Sequence, residues 1–337
     1  MSKKLRYLAQ LVPGIVFLFA VGLLAKYIGQ FIPYVSYLIV AIFFGIIGSN
    51  LFHLPETLER GIVDTHKIWL KTGIVVLGAR VLLADLVQVG PNLLGMIFLF
   101  IVLALFGVEF LGKRMGLDDR MSSCLASGTS VCGVSAVIAT GGAIDARKSH
   151  LATAIATILI FDVVTVFLYP LIGELFSIAP AVFGPWAGVS MFSTGTTVAA
   201  GFAHSDLSGQ LATVTKMGRN VFIGIWALAY SLYYVRSTAS AGQMESKAGY
   251  LWDKFPKEVM GFILFMFVAN VGLLNSGQID CLKNAYNWLF MMAFVGLGYG
   301  IDLNELKKVG GKAFLVVCTV FIFISLASLG VSFLLFG

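Results

Sequence analysis

Run after run of apolar side chains, each close to the twenty or so residues needed to cross a bilayer, fills this chain from end to end. Full spans are expected at about 8–28, 33–51, 67–86, 91–112, 149–171, 209–235, 257–275, 284–302 and 312–336. Inside hydrocarbon a backbone cannot bond to water, so it must close its own hydrogen bonds as helix or as closed barrel. A barrel would show short alternating segments instead. The expected fold class is therefore an all-α polytopic membrane protein, with residues 1–337 forming a single integral membrane domain. Composition agrees: 58% of residues are hydrophobic, 12% are charged and the mean hydropathy is +0.92, outside the range of soluble domains.

The formal charge of +6 points to the excess Lys and Arg of cytoplasmic loops, and not to nucleic acid. The basic start, MSKKLR, is followed by an apolar run from Leu8 to Ile28, which is long for a signal peptide and has no clear small-x-small cleavage site. An uncleaved first helix is expected. The cysteines Cys124, Cys132, Cys281 and Cys318 form no CxxC and no Cys/His cluster, so no metal and no disulfide is predicted. There is no P-loop to support ATP-driven transport, and no catalytic constellation that would make this an enzyme. No cofactor is expected.

Two segments break the apolar pattern. They are GTSVCGVSAVIATGG (Gly128 to Gly142) and FSTGTTVAAGFA (Phe192 to Ala203), within regions 120–146 and 182–206. Both are uncharged, rich in Gly, Ser and Thr, and flanked by long apolar runs. Irregular backbone at membrane depth is tolerated only where it lines a cavity or is buried in protein. A pair of Gly-interrupted segments marks the binding site of a secondary transporter.

Each segment either crosses the membrane as a broken helix or enters and returns as a hairpin. Lys3, Lys4 and Arg6 place the N-terminus inside, and Lys113, Arg114 and Arg120 return inside four spans later. A hairpin keeps Arg147 and Lys148 inside and sets the second segment outside, where Leu171 to Leu211 carries no Lys or Arg. Positive charge thus favours two opposed hairpins, with Lys148 cytoplasmic and Ser205 extracellular. In both arrangements Arg236, Lys247, Lys254, Lys257, Lys307, Lys308 and Lys312 are inside and the C-terminus is outside.

Internal echoes point to an inverted-repeat transporter fold. GTSV at 128 echoes GTTV at 195, and HLAT at 150–153 echoes QLAT at 210–213. LGARVLLADLVQVG (77–90) echoes LGYGIDLNELKKVG (297–310). Opposed repeats are the usual architecture of secondary transporters. The order of these echoes fits no simple tandem repeat.

Polar residues within spans are the candidates for chemistry, because charge at membrane depth normally faces a cavity or a partner. Lys216 and Arg219 lie three apart on one helical face, and Arg80 follows Gly78. They read as an anion site or as side chains snorkelling to the interface. Asp162, mid-span, is either a carrier of a coupling proton or sodium or the partner of a cation. Glu109 lies one turn from Lys113 and reads first as an end-of-helix ion pair. Hairpin tips and half-helix N-termini present unpaired N–H groups that suit anions. Thr129, Ser130, Ser135, Ser193, Thr194, Thr196 and Thr197 add hydroxyls there, with Cys132 among them, while Gly128, Gly133 and Gly195 open the backbone. The rival reading is close helix packing through small residues.

These residues resemble the sulfate-exporter family of bacterial membrane proteins. The likeness runs through AIFFGIIGSN (41–50), VVLGARVLL (75–83), GTSVCGVSAVIA (128–139), FGPWAGVSMFSTGTTVAAG (183–201), VTKMGRN (214–220) and FVGLGYGIDLNELKKVG (294–310). It implies a multi-span transporter related to the bile-acid symporters and cation/proton antiporters, with inverted repeats and paired broken elements. One departure stands out. The family pattern resembles AIHDTAQVVAAG, whereas Phe192 and Ser193 stand here in place of His and Asp, and Thr196 in place of Gln. The expectation is a bacterial inner-membrane secondary transporter, an exporter of a small anion such as sulfate, sulfite or a sulfonate, working by alternating access. A passive anion channel is the first rival, and a membrane sensor or enzyme the second. Expected partners are lipid, the anion and a second copy of the chain.

Overall fold

The computed structural model describes residues 3–32, 36–52, 54–237, 249, 252, 255–306 and 309–337. Among these residues every regular element is helical. The helices longer than one turn are α1 (Lys3–Gly29), α2 (Tyr37–Leu51), α3 (Glu56–Leu77), α4 (Leu83–Arg114), α5 (Asp119–Ser127), α6 (Val134–Ala143), α7 (Lys148–Leu175), α8 (Pro180–Ser190), α9 (Thr194–His204), α10 (Asp206–Asn220), α11 (Phe222–Ser237), α12 (Lys257–Asn270), α13 (Ser276–Tyr299) and α14 (Gly311–Phe336). A 3-10 turn, Gly78–Arg80, follows α3, and a π-helical turn, Gly128–Cys132, follows α5. Among the described residues, four stretches are long and apolar enough to cross a membrane: Leu11–Gly29, Gly90–Arg114, Lys148–Leu175 and Gly311–Phe336.

Besides 257–275, which forms only the 14 residues of α12, three expected spans take a different form. The stretch 209–235 is two helices, because the chain turns at Val221 between α10 and α11. The stretch 67–86 is displaced: α3 begins at Glu56 and ends at Leu77. Its early charges hid it from a hydropathy reading. Glu59, Asp64, Lys67 and Lys71 are exposed while Ile62, His66, Ile74 and Leu77 are buried, so α3 is amphipathic. The third, 33–51, is a helix of only 15 residues, α2.

The chain packs as two units. One comprises Met1–Val89, Phe202–Ser205 and Lys257–Leu303; the other comprises Gly90–Gly201, Asp206–Pro256 and Asn304–Gly337.

The first unit contains a duplicated clip. Asn50, at the end of α2, donates through Nδ2 to the carbonyl of Ile301 (2.8 Å) and accepts from the N–H of Leu303 (2.9 Å). Asn270, at the end of α12, donates to the carbonyl of Val81 (2.9 Å) and accepts from the N–H of Leu83 (2.9 Å). Every residue of the second clip stands 220 positions from its counterpart in the first. The close helix crossings follow the same spacing. Gly298 abuts the carbonyl of Ile42, and Gly78 abuts that of Phe262, with no room for a Cβ at either. So α2 packs on α13 and α12 packs on α3. The echo between 77–90 and 297–310 is the end of this repeat; its Lys307 and Lys308 lie outside the described residues, as do Lys247 and Lys254.

The second unit is built around α7. Its 28 residues span about 42 Å at the α-helical rise. Before α7, α5 and α6 lie side by side: Arg120 Nη1 donates to the carbonyl of Asp145 (2.8 Å), Cys124 faces Gly141, and Ser127 Oγ donates to the carbonyl of Ala136 (3.3 Å). These contacts run from base to tip, so the segment is a hairpin whose two ends share one side. After α7, α8 and α9 form the other hairpin. Gly184 and Gly201, one on each arm, approach the same carbonyl of Ser208. The first hairpin opens at the start of α7 and the second at its end, and the tips meet midway, where Gly133 abuts Ser193 and Ile158. α4 and α14 complete the unit through Ile97, Phe100, Ile101, Ala104, Val316 and Val320. Tyr169 on α7 donates to Ser190 Oγ (2.8 Å) and lies 2.7 Å from Ser325 Oγ of α14.

Candidate functional site

The two tips are where the regular backbone stops. The α5 arm ends in the π turn and reverses at Gly133, with φ +58° and ψ −132°, a conformation open to Gly almost alone. The α8 arm ends at Ser190, Met191 is extended (φ −71°, ψ 150°), and α9 starts at Thr194. Each arm that ends leaves carbonyl groups without helical partners. No water is at hand inside a membrane, so these carbonyls need another donor.

Lys216 and Arg219 are that donor. α10 lies flush on α8 because Gly184 and Gly188 leave no side chain between them. This brings both cations to the tips, fully buried. Lys216 Nζ donates to the carbonyls of Val131 (3.1 Å), Met191 (2.9 Å) and Phe192. Arg219 donates from Nε to Ser130 (3.1 Å), from Nη1 to Gly188 (3.1 Å) and Met191 (2.8 Å), and from Nη2 to Thr129 (3.0 Å) and Ser130 (2.7 Å). A lysine ammonium has three N–H donors and a guanidinium five. All eight are directed at main-chain carbonyls. The sequence reading placed these cations around an anion; the structure instead has them joining the two tips, with positive charge at helix C-termini where it is favoured. Snorkelling does not describe them either, since neither reaches an interface.

Asp162, buried at mid-α7, performs the converse task. Its carboxylate accepts from the N–H of Ser193 (3.0 Å), from Ser193 Oγ, and from Thr196 Oγ1 (3.0 Å). It thereby caps the N-terminus of α9 with negative charge. The carboxylate at Ser193 thus arrives from α7.

The remaining hydroxyls sort into two groups. Thr129 donates to the carbonyls of Leu125 and Ala126, Ser130 to Ser127, and Thr197 to Ser193, all within their own arms. These three are bonded locally and do not line a cradle, contrary to the sequence expectation. Gly128 likewise makes room for Val137 and Ile158; Gly195 is buried in the first turn of α9. Two hydroxyls are not bonded within their own arms. Ser135 is exposed in the first turn of α6, and Thr194 is half-buried at the start of α9. Thr194 Oγ1 lies 3.4 Å from Cys132 Sγ and accepts from Asn220 Nδ2 (3.0 Å). The sequence reading quoted Asn220 within VTKMGRN but gave it no role; its place directly after Arg219 was the available signal.

Two other candidates lie apart from the tips. Glu109 accepts from Ser123 Oγ (2.6 Å) and pairs with Lys113 (3.9 Å) at the open end of the first hairpin, the ion-pair arrangement. Arg80 belongs to the 3-10 turn of the first unit and is no member of the tip cluster.

Comparison with known proteins gives a family and no settled activity. Residues 13–317 match the family described as conserved hypothetical protein 698. A UPF0324 membrane protein of Nitratidesulfovibrio vulgaris is 32% identical over 322 residues, covering 92% of this chain and 89% of the relative. One from Streptococcus mutans is 29% identical and covers 97% of this chain and 98% of the relative. The structure of the sodium proton antiporter MjNhaP1 from Methanocaldococcus jannaschii at pH 8 aligns over 93% of this chain and 99% of that one, at 11% identity and a TM-score of 0.29, an overlap too loose to define a shared fold.

Proposed function

The chain belongs to the conserved hypothetical protein 698 family of membrane proteins, and on that premise we propose that it is a secondary transporter of a small anion, with the meeting hairpin tips as its binding centre. The observation that carries this reading is the charge balance there. Lys216 Nζ is directed at three carbonyl acceptors, a set that matches the three N–H bonds of an ammonium. Arg219 is always charged. Asp162 receives three donors and answers one of these two charges. The helix ends contribute roughly half a charge each, positive at α6 and α9 and negative at the ends of the α5 and α8 arms, and so cancel. About one positive charge is left uncompensated at depth. An unpaired buried charge costs several kcal/mol, and an anion entering from solution removes that cost.

Sulfate, sulfite and small sulfonates are the substrate class in view, export is the direction, and a proton or sodium gradient acting through Asp162 supplies coupling. Opposed hairpins with joined tips suit alternating access, since each side of the membrane reaches the centre past one hairpin. The test is flux in proteoliposomes, using labelled sulfate, sulfite and methanesulfonate with an imposed pH or sodium gradient. Accumulation above the external concentration is expected, lost in Asp162→Asn. Equilibration without accumulation would identify a channel, and absence of any anion flux would refute the reading.

A further inference from the structure

Resting on that anion reading, the tips also carry a demand about which anion. The first turn of α6 has no side-chain cap, so the N–H groups of Val134 and Ser135 have no helical acceptor. Ser135 lies in this turn with its hydroxyl exposed, and Thr194 Oγ1 lies 3.4 Å from Cys132 Sγ, just before it. Asn220 is 98% buried, only 2% of its surface being accessible. Its Nδ2 is directed at Thr194. Its Oδ1 is equally buried and has no hydrogen-bond partner. A buried carbonyl oxygen without a donor costs about 1–3 kcal/mol.

We propose that Asn220, Thr194, Ser135 and the N-terminus of α6 form a subsite for a singly charged oxyanion that retains one O–H. The anionic oxygens accept from the Val134 and Ser135 N–H groups and from the Ser135 hydroxyl. The O–H donates to Asn220 Oδ1. One negative charge matches the single unbalanced positive charge of the tips. Hydrogensulfite belongs to this class. Sulfate does not, because it brings two charges and no hydrogen. Asn220 is thus a specificity-determining residue. A site built to accept a hydrogen bond rejects the analogue that lacks the donor, because its own buried acceptor stays unpaired.

Methylphosphonate, held at a pH where it is singly charged, and methanesulfonate test this directly. They share size, shape and charge, and differ in one O–H. Binding of each to the purified full-length protein is measured by calorimetry at that pH. Methylphosphonate should bind at least tenfold more tightly, about the value of one hydrogen bond to a buried acceptor. Asn220→Leu should remove the preference while retaining affinity for methanesulfonate. Equal affinity of the two anions for the unaltered protein would overturn the proposal and leave the anion reading standing. If neither anion binds and no flux is seen with the sulfur oxyanions, the anion reading falls, and this proposal with it.

Discussion

Gly133 is a position at which a single methyl group should disturb both hairpin tips at once. It forms the reversal of the first hairpin with φ +58° and ψ −132°. A side chain in such backbone costs about 1–3 kcal/mol before any contact is counted. The added Cβ would also overlap Ser193 Oγ and lie 3.3 Å from both Ile158 Cγ2 and the Phe192 carbonyl carbon. Ser193 cannot simply swing aside, because its hydroxyl and its N–H are both held by Asp162. Relief therefore means parting the tips, which pulls the Val131 and Phe192 carbonyls away from Lys216. Gly133→Ala is expected to destabilise by at least 2 kcal/mol, taking strain and one weakened charge-assisted bond together. Gly142→Ala, nine residues along in α6, is the control. Nothing lies within 4 Å of its Cβ position, and replacing a helical Gly by Ala stabilises by up to about 1 kcal/mol. Thermal unfolding in detergent and anion flux in proteoliposomes would be measured for both. The reasoning fails if Gly133→Ala unfolds and transports like the unaltered protein, or if Gly142→Ala is as damaging.

Further expectations follow from the same contacts. Lys216→Met should leave the Val131 and Phe192 carbonyls unpaired and destabilise by about 3–5 kcal/mol, as when one partner of a buried charged group is removed; unchanged thermal stability would show that the lysine does not join the tips. Arg219→Lys should also be poorly tolerated, since three donors cannot replace five; it would be read by the same melt, with full stability as the refuting result. Single cysteines placed at Lys148 and Ser177, the two ends of α7, should react with an impermeant maleimide from opposite faces of the membrane, with Lys148 inside; labelling of both from one face would mean that α7 does not cross. Asn50→Leu and Asn270→Leu should cost similar amounts, about 1–3 kcal/mol each for the unpaired groups left behind, and markedly unequal effects would argue against equivalent clips.

Much of the architecture is visible in composition because lipid imposes simple rules. Apolar length marked α1, α4, α7 and α14, and glycine within apolar sequence marked both hairpins. The pairing of 77–90 with 297–310 was legible, although its anchors, Asn50 and Asn270, were not, since each lies more than 180 residues from the backbone it holds. The GTSV and GTTV echo proved a poor guide: Gly128 precedes the reversal of its hairpin, while Gly195 follows that of the other. Asp162, Lys216 and Arg219 were marked by their type, because charge in a span is rare. Their partners were not legible. Main-chain carbonyls have no letter in a sequence, and all eight N–H groups of the two cations end on them. For the same reason Thr129 and Ser130 read as ligands until their own helical carbonyls were seen to hold them.

The clips also set an order in time. Asn50 emerges early in synthesis, and its partners Ile301 and Leu303 come some 250 residues later. α2 and α3 likewise wait for α13 and α12, so the first unit cannot close while the second is being made. The hairpins, α7 and the α10 cations that join the tips, by contrast, all lie between residues 119 and 220. The tips can therefore be joined before the clips close, and a nascent chain stopped before α12 would carry joined hairpins while α2 and α3 still lack their partners and stay open to the insertion machinery and to proteolysis.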